Sequence, residues 1–337
     1  MWEYGEIFPD DLGAYHNELL KNRIHRAIAL REQDPILAGT NTKRLIHAES
    51  DRLPGLIVDQ YADILVAQFL SAGIEIYRQQ VLAVLIDLIA PNAIFERSDV
   101  EVRKLEGLPE VSGLLFGNMP EGGIIIEENG IRIKVEVDSG HKTGFYLDQR
   151  ENRYLLRKFC KDKDVLDCFS YSGGFTLNAL LGEAKSVMAI DQSDDALGLL
   201  AENIRINSFD EEKVEVVSDD VFQRLRKLRD QGKSFDVVIL DPPKFAPTRN
   251  QAQKAARGYK DINLLAAKLL REGGVMLTFS CSGGIDQRLF QQIVAGAASD
   301  AGVDLQIVHK MGQGSDHPVL LSFPEGEYLK GLVCRRN

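Results

Sequence analysis

The stretch Val165-Leu166-Asp167-Cys168-Phe169-Ser170-Tyr171-Ser172-Gly173-Gly174-Phe175 decides the fold. A short apolar run through Phe169 reads as a strand. The small residues after it read as a turn, and a helical pattern follows. Glycines there let backbone N–H groups approach an anionic ligand at the helix N-terminus. Further apolar strands are expected downstream at Ser186–Ile190, Val214–Val217, Val237–Leu240 and Val275–Phe279, each separated by helical sequence. Strands apolar on both faces and joined by helices imply a mostly parallel sheet covered on each side.

Such a sheet binds ligands beyond the carboxyl ends of its strands. Acidic residues recur there: Asp191 after the second strand, Asp219-Asp220-Val221-Phe222 after the third, and Asp241-Pro242-Pro243 after the fourth. Asp191 lies about 20 residues past the glycines, where a carboxylate can take both ribose hydroxyls. Asp219, Asp220 and Phe222 stand where an adenine amino group and ring would lie. Any one of these acids is equally a turn residue or helix cap, but four in register form a pattern. Neither GxGxxG nor GxxxxGK[ST] occurs, so a nucleoside other than a dinucleotide is implied. This ordered set resembles the class I methyltransferases. The resemblance implies S-adenosylmethionine as cofactor and a Rossmann-like domain with a seven-stranded sheet.

The fifth strand runs into Ser280-Cys281-Ser282-Gly283-Gly284, which brings a thiol to the same edge as Asp241. Cytosine C5 is too weak a nucleophile to take a methyl group from a sulfonium directly, so carbon methylation needs prior thiolate addition at C6. Cys281 is the candidate nucleophile. Asp241 is the candidate partner for the base and its developing charge, with Pro242 and Pro243 stiffening its loop. A free cysteine is otherwise usually a small buried residue, and Cys160, Cys168 and Cys334 read as structural. His141 and His317 read as polar structural residues.

Upstream, Asn17–Glu32 carries Leu19, Leu20, Ile24, Ile28 and Leu30 at helical spacing and reads as a connecting helix within residues 1–40. Residues 41–138 alternate short apolar runs and turns with a helix over Glu75–Ile89. Strands at Ala93–Arg97 and Ile124–Val137 complete the segment, the latter broken by the hairpin signal Glu128-Asn129-Gly130. They form a smaller α+β domain, the expected RNA-substrate domain. The larger domain is expected over residues 139–337.

At 337 residues with 44% hydrophobic and 27% charged side chains, the chain can bury two cores. No apolar run reaches the roughly 20 residues of a membrane span and no secretory leader is evident, so a cytoplasmic location without membrane association is expected. A net charge of −10 argues against nucleic-acid binding over the whole surface. A local groove is different: Lys244, Arg249, Lys254, Arg257 and Lys260 follow Asp241 with no acidic residue between Pro242 and Lys260. With Phe245 they are the candidate RNA contacts, although such charges can merely solvate a helix face.

The run His141-Lys142-Thr143-Gly144-Phe145-Tyr146-Leu147-Asp148-Gln149-Arg150-Glu151-Asn152-Arg153 makes a closer resemblance, together with Asp241-Pro242-Pro243-Lys244-Phe245 and Phe279-Ser280-Cys281-Ser282-Gly283. So do Glu96-Arg97-Ser98-Asp99 and Asp316-His317-Pro318-Val319-Leu320-Leu321. The chain resembles the bacterial large-subunit (23S) rRNA cytosine-C5 methyltransferases from about Ala14 to Leu332. The resemblance implies 23S rRNA as partner and Cys281 as nucleophile. It also implies that Phe145, Tyr146, Gln149 and Arg150 help enclose the cofactor or position the active site, beside the cofactor-binding residues expected from the strand ends, Asp167, Phe169, Ser170, Tyr171, Ser172, Gly173, Gly174, Asp191, Asp219, Asp220, Val221 and Asp241. That family usually opens with a PUA RNA-binding domain, for which the residues before the α+β segment are too few. It also lacks a second cysteine after the Asp-Pro motif, so the base that removes the C5 proton is unassigned. Other acceptors, such as guanine N7 or a protein, stay open, as do a non-catalytic cofactor-binding role beside RNA and a homodimer.

Overall fold

The computed structural model describes residues 12–138, 143–245 and 252–337. His141 and Arg249 lie outside them. The chain divides into two compact units. The first comprises the chain up to Gly130, Val135–Leu147 and Ser315–Gly326; the second comprises Ile131–Lys134, Asp148–Gly314 and Glu327–Asn337.

The first unit is built on a five-stranded sheet, β1 (Thr42–His47), β2 (Leu56–Tyr61), β3 (Ile64–Phe69), β4 (Ala93–Ser98) and β5 (Val111–Gly117), in that spatial order. β3 and β4 are parallel, joined through α2 (Ala72–Glu75) and α3 (Arg78–Ile89), while the other neighbours are antiparallel. α1 (Leu12–Glu32) is more than a connector. Leu20, Ile24, Ala27 and Ile28 enter the core with Val81 and Leu85 of α3, whereas Leu30 stays exposed. The short α4 (Val102–Leu105) precedes β5.

Polar contacts explain why this unit takes chain from two later places. Asp59 receives two hydrogen bonds from the Arg44 guanidinium, at 2.7 and 2.8 Å, and one from the Thr143 hydroxyl at 2.6 Å. The Tyr61 hydroxyl accepts the Phe145 N–H at 3.1 Å. Asp316 accepts the Arg44 N–H at 2.9 Å, its carbonyl accepts from Arg31 at 3.2 Å, and the His317 ring lies 5.2 Å from that of His47. Burying charged groups is tolerated only when they are paired in this way. The division is therefore not a single cut near residue 138: 143–147 and Ser315–Gly326 belong with the first unit.

A two-stranded ribbon, β6 (Ile124–Glu128) and β7 (Ile131–Val135), turns through Asn129 and Gly130, both at positive φ.

The second unit contains β8 (Asp164–Cys168), β9 (Ser186–Asp191), β10 (Val214–Ser218), β11 (Phe235–Leu240), β12 (Leu270–Ser280), β13 (Leu305–Met311) and β14 (Lys330–Arg336). They form one seven-stranded sheet in the order β10-β9-β8-β11-β12-β14-β13. β8 to β12 run parallel, and β14 is antiparallel to both β12 and β13. Central strands are buried on both faces, as Val165, Leu166 and Cys168 of β8 are, while the edge strands β10 and β13 are largely exposed. The helices are α5 (Arg150–Leu156), α6 (Gly174–Leu181), α7 (Asp194–Ile206), α8 (Val221–Asp230), α9 (Ala252–Leu269) and α10 (Gln287–Ala301). One core joins Leu166, Ile190, Leu225, Val238, Ile262, Met276 and Phe290. A neighbour reversal between β8 and β11 creates the switch point where ligands enter such sheets.

Candidate active site

The loop after β8 is held in left-handed backbone at three positions. Phe169, Tyr171 and Gly173 have φ of 64, 48 and 89°. At Gly173 a Cβ would come within 2.1 Å of Leu200 Cδ1, so α7 closes off any larger residue at the N-cap of α6. The Tyr171 and Ser193 N–H groups donate to the two oxygens of Asp191, at 2.9 and 3.0 Å. Asp191 thereby ties the first loop to the end of β9.

Asp167 is buried in β8 rather than standing at the rim. Thr176 of α6 donates to its Oδ2 at 2.7 Å, while Oδ1 has no hydrogen-bond partner among the described residues. Burial pushes this carboxyl up to about 7, with Asp241 and Asp191 adding to the rise and the Thr176 bond opposing it. Ser170 and Ser172 likewise carry buried hydroxyls without partners among the described residues. Orphaned polar atoms beside a loop held in left-handed conformations fit a polar ligand. The carboxylates around them suit a cationic one.

Asp219 and Asp220 separate in role. Asp219 is bound to Lys227 at 2.8 Å, and that contact holds its carboxyl below the usual range. Asp220 caps α8 through the Gln223 N–H at 2.9 Å and accepts from Gln192 at 2.6 Å. The Val221 side chain lies in the core, so only its backbone is available to a ligand. Phe222 and Phe245 stack at 5.8 Å, and Phe245 also meets Phe169 at 6.5 Å and Tyr259 at 4.8 Å. Much of Phe245 is committed to this aromatic packing.

Asp241 follows β11 directly. Its Oδ1 accepts from Gln149 Nε2 at 2.9 Å, and Gln149 Oε1 accepts from Asn152 Nδ2 at 2.6 Å. Asn152 also reaches the Gly312 carbonyl at 2.9 Å. Gln149 and Asn152 are both buried, so this relay fixes the carboxylate from behind. Arg150, one position along, is buried in α5. Phe145 and Tyr146 belong to the first unit, where Phe145 is buried.

Cys281 follows β12 and is half-buried, unlike Cys160, Cys168 and Cys334, whose thiols burial pushes far up. β11 and β12 pair with Leu240 opposite Thr278, so Asp241 and Cys281 leave the sheet at the same rim. Tyr259 of α9 bonds the Ser282 hydroxyl at 2.9 Å. Lys330 Nζ donates to the Ser282 and Tyr328 carbonyls, each at 2.8 Å. The sequence alone assigns no role to Lys330, Tyr259 or Thr176, and none to Asn152 beyond its place in the run 141–153. A lysine opening the apolar run Lys330-Gly331-Leu332-Val333-Cys334 was the one visible signal.

Lys244, Lys254 and Arg257 are exposed, whereas Lys260 is paired with Asp300 of α10 at 2.7 Å. The basic run thus divides between a solvent face and an interhelical contact. No described helix is long and apolar enough to cross a membrane.

Residues 108–319 match the family described as S-adenosylmethionine-dependent methyltransferase. A protein named ribosomal RNA large subunit methyltransferase I from Shewanella amazonensis is 51% identical over 322 residues, covering 96% of this chain and 81% of its own length. The protein of that name from Cronobacter sakazakii is 50% identical over 296 residues, covering 88% and 75%. Among solved structures, a methyltransferase from Streptococcus mutans superposes with a TM-score of 0.81 at 21% identity, over 96% of this chain and 81% of that one. Fold, rim geometry and these likenesses agree: the chain belongs to the S-adenosylmethionine-dependent methyltransferases, in the family of the ribosomal RNA large subunit methyltransferase I proteins.

Proposed function

We propose that this enzyme methylates C5 of a cytosine in 23S ribosomal RNA through a covalent bond between Cys281 Sγ and C6. The observation that carries this reading is the placement of Cys281 and Asp241 at the ends of paired parallel strands. The relatives' name supports ribosomal RNA of the large subunit as the substrate. Bound at this rim, the cofactor supplies an electrophilic methyl group on a sulfonium. The chain's own residues do the rest. Asp191, Asp220, the orphaned Ser170 and Ser172 hydroxyls and the Gly173–Gly174 turn form its cradle, and Asp167 supports that cradle from within the sheet.

The Cys281 thiolate adds to C6, and the displaced electron pair makes C5 nucleophilic. Once C5 carries the methyl group, loss of the C5 proton and cleavage of the S–C6 bond restore the aromatic base. As the thiolate adds, N3 takes up a proton so that the adduct is a neutral enamine; Asp241, held by Gln149, accepts the N3–H hydrogen bond and stabilises the positive charge that develops on the ring as C5 takes the methyl group. Exposed Lys254 and Arg257 on α9, with Lys244 beside Asp241, contact the RNA backbone. Ribosomal RNA as substrate makes the cytoplasm the place of action.

Cys281→Ala should abolish methyl transfer while cofactor binding persists. Near-normal transfer would instead point to a nitrogen or protein acceptor. Reversing Lys254 and Arg257 to Glu should weaken RNA binding, flatten its salt dependence and leave cofactor affinity intact. Unchanged RNA affinity would remove these residues from the interface.

A further inference from the structure

Lys330 is a cation in an unusual setting. It is 4% exposed and opens β14 opposite Ser280 of β12, one residue from Cys281. Its Nζ donates to two neutral carbonyls, Ser282 and Tyr328, and among the described residues no carboxylate lies within ion-pairing distance. An ammonium has three protons to donate, and two carbonyls occupy two of them. Neutral acceptors compensate poorly for burying a charge, so the position is costly unless something nearby gains from it.

We infer that Lys330 is a positioning residue for the methyl-transfer reaction: its buried ammonium, fixed by the Ser282 and Tyr328 carbonyls, keeps Cys281 in the thiolate form. The inference rests on Cys281 being the nucleophile. The Sγ–H bond breaks heterolytically, the electron pair stays on sulfur and the proton passes to water. No electron transfer or co-reactant is involved. A nearby ammonium lowers a thiol's pKa because it favours the charged form.

The surrounding charges agree. Burial lowers Lys330 to about 8; of its neighbours Cys281 does most to sustain its charge, Glu327 and Asp286 add to that, and Lys244 opposes. Tyr259, also close to Cys281, keeps its proton because burial raises its hydroxyl, so it does not compete as an anion. A purely structural reading makes Lys330 a clip between the loops at Ser282 and Tyr328. The two readings differ in whether charge, rather than hydrogen bonding, matters.

The test is alkylation of Cys281 by iodoacetamide across pH, read on the Cys281 peptide by mass spectrometry, in the whole chain with cofactor binding confirming the fold. Lys330→Gln keeps a donor and loses the charge; Lys330→Arg keeps both. In Lys330→Gln the alkylation midpoint should rise by about one pH unit, which slows the reaction about tenfold at pH values well below the midpoint. Lys330→Arg should stay close to the unaltered protein. An unchanged midpoint in Lys330→Gln, or an equal rise in both variants, would overturn the inference. If Lys330→Gln fails to fold, the unaltered protein still decides: a Cys281 midpoint at or above about 8.5, the ordinary thiol value, overturns it. None of these readings depends on turnover, so failure of the nucleophile assignment would show separately as an active Cys281→Ala enzyme.

Discussion

Asp164 and Asp167, three residues apart on β8, are treated in opposite ways. At the amino ends of the central strands, Arg271 donates to Asp164 and Asp236 at 2.7 Å each, and the Ser186 hydroxyl and Asp164 N–H complete the set. The Arg271 contact holds the Asp164 carboxyl below its usual range. Towards the carboxyl ends, three residues along the same strand, the buried Asp167 has one oxygen without a partner among the described residues and is pushed up to about 7. Lys330, at the same rim, is pushed down to about 8. Charges that are satisfied within the fold hold it together, whereas charges left strained by it are available to a ligand or a reaction.

The largest test of this contrast is Asp241→Ala at the strained end. It should lower kcat by about 10²-fold or more with little change in thermal stability, since positioned acid–base and electrostatic groups carry effects of that size. Steady-state methyl transfer and a melting curve check it together; a stability loss with unchanged kcat would make Asp241 structural. Arg271→Ala at the satisfied end should do the reverse. It should cost about 1–2 kcal/mol in denaturant unfolding without altering transfer per folded molecule. Because Asp164 is ionised more readily in the folded chain, its contribution is present above its unfolded pKa and lost as pH falls, so the variant's deficit should narrow in acid. A deficit that widens in acid would contradict the pairing.

The smallest effect is expected from Asp167→Asn. The folded carboxyl keeps its proton up to about 7, while an unfolded aspartate loses it near 3.9. Between those values the folded state binds more protons, so stability falls as pH rises. The asparagine variant should flatten that slope in melting curves taken from pH 4 to 8. A slope identical to that of the unaltered protein would mean Asp167 is ionised throughout.

The same contrast explains what was legible in the sequence. The parallel strands of the second unit read clearly because burial on both faces leaves only apolar residues, as in Val237–Leu240. β5, β13 and β14 did not: β5 is exposed on one face, β13 is exposed along most of its length, and β14 opens with a lysine, so their patterns are mixed. The helix expected over Glu75–Ile89 is divided into α2 and α3 at Ile76 and Tyr77, with Ile76 exposed. Strand-end acids were readable because register alone puts Asp191, Asp220, Asp241 and Cys281 at one rim. Their partners were not, because Gln149 meets Asp241 across 92 positions and Lys330 meets Ser282 across 48. Membership of 143–147 and Ser315–Gly326 in the first unit was equally hidden, since Asp59 and Arg44 recruit them from far along the chain.

The most direct test of the central claim is to incubate the enzyme and S-adenosylmethionine with large-subunit ribosomal RNA carrying 5-fluorocytosine. Fluorine in place of the C5 proton blocks the elimination that frees the enzyme. The account predicts an RNA-linked protein whose only modified peptide contains Cys281, and none with Cys281→Ala. Methylation of unmodified RNA accompanied by no adduct, or by an adduct on another residue, would contradict it.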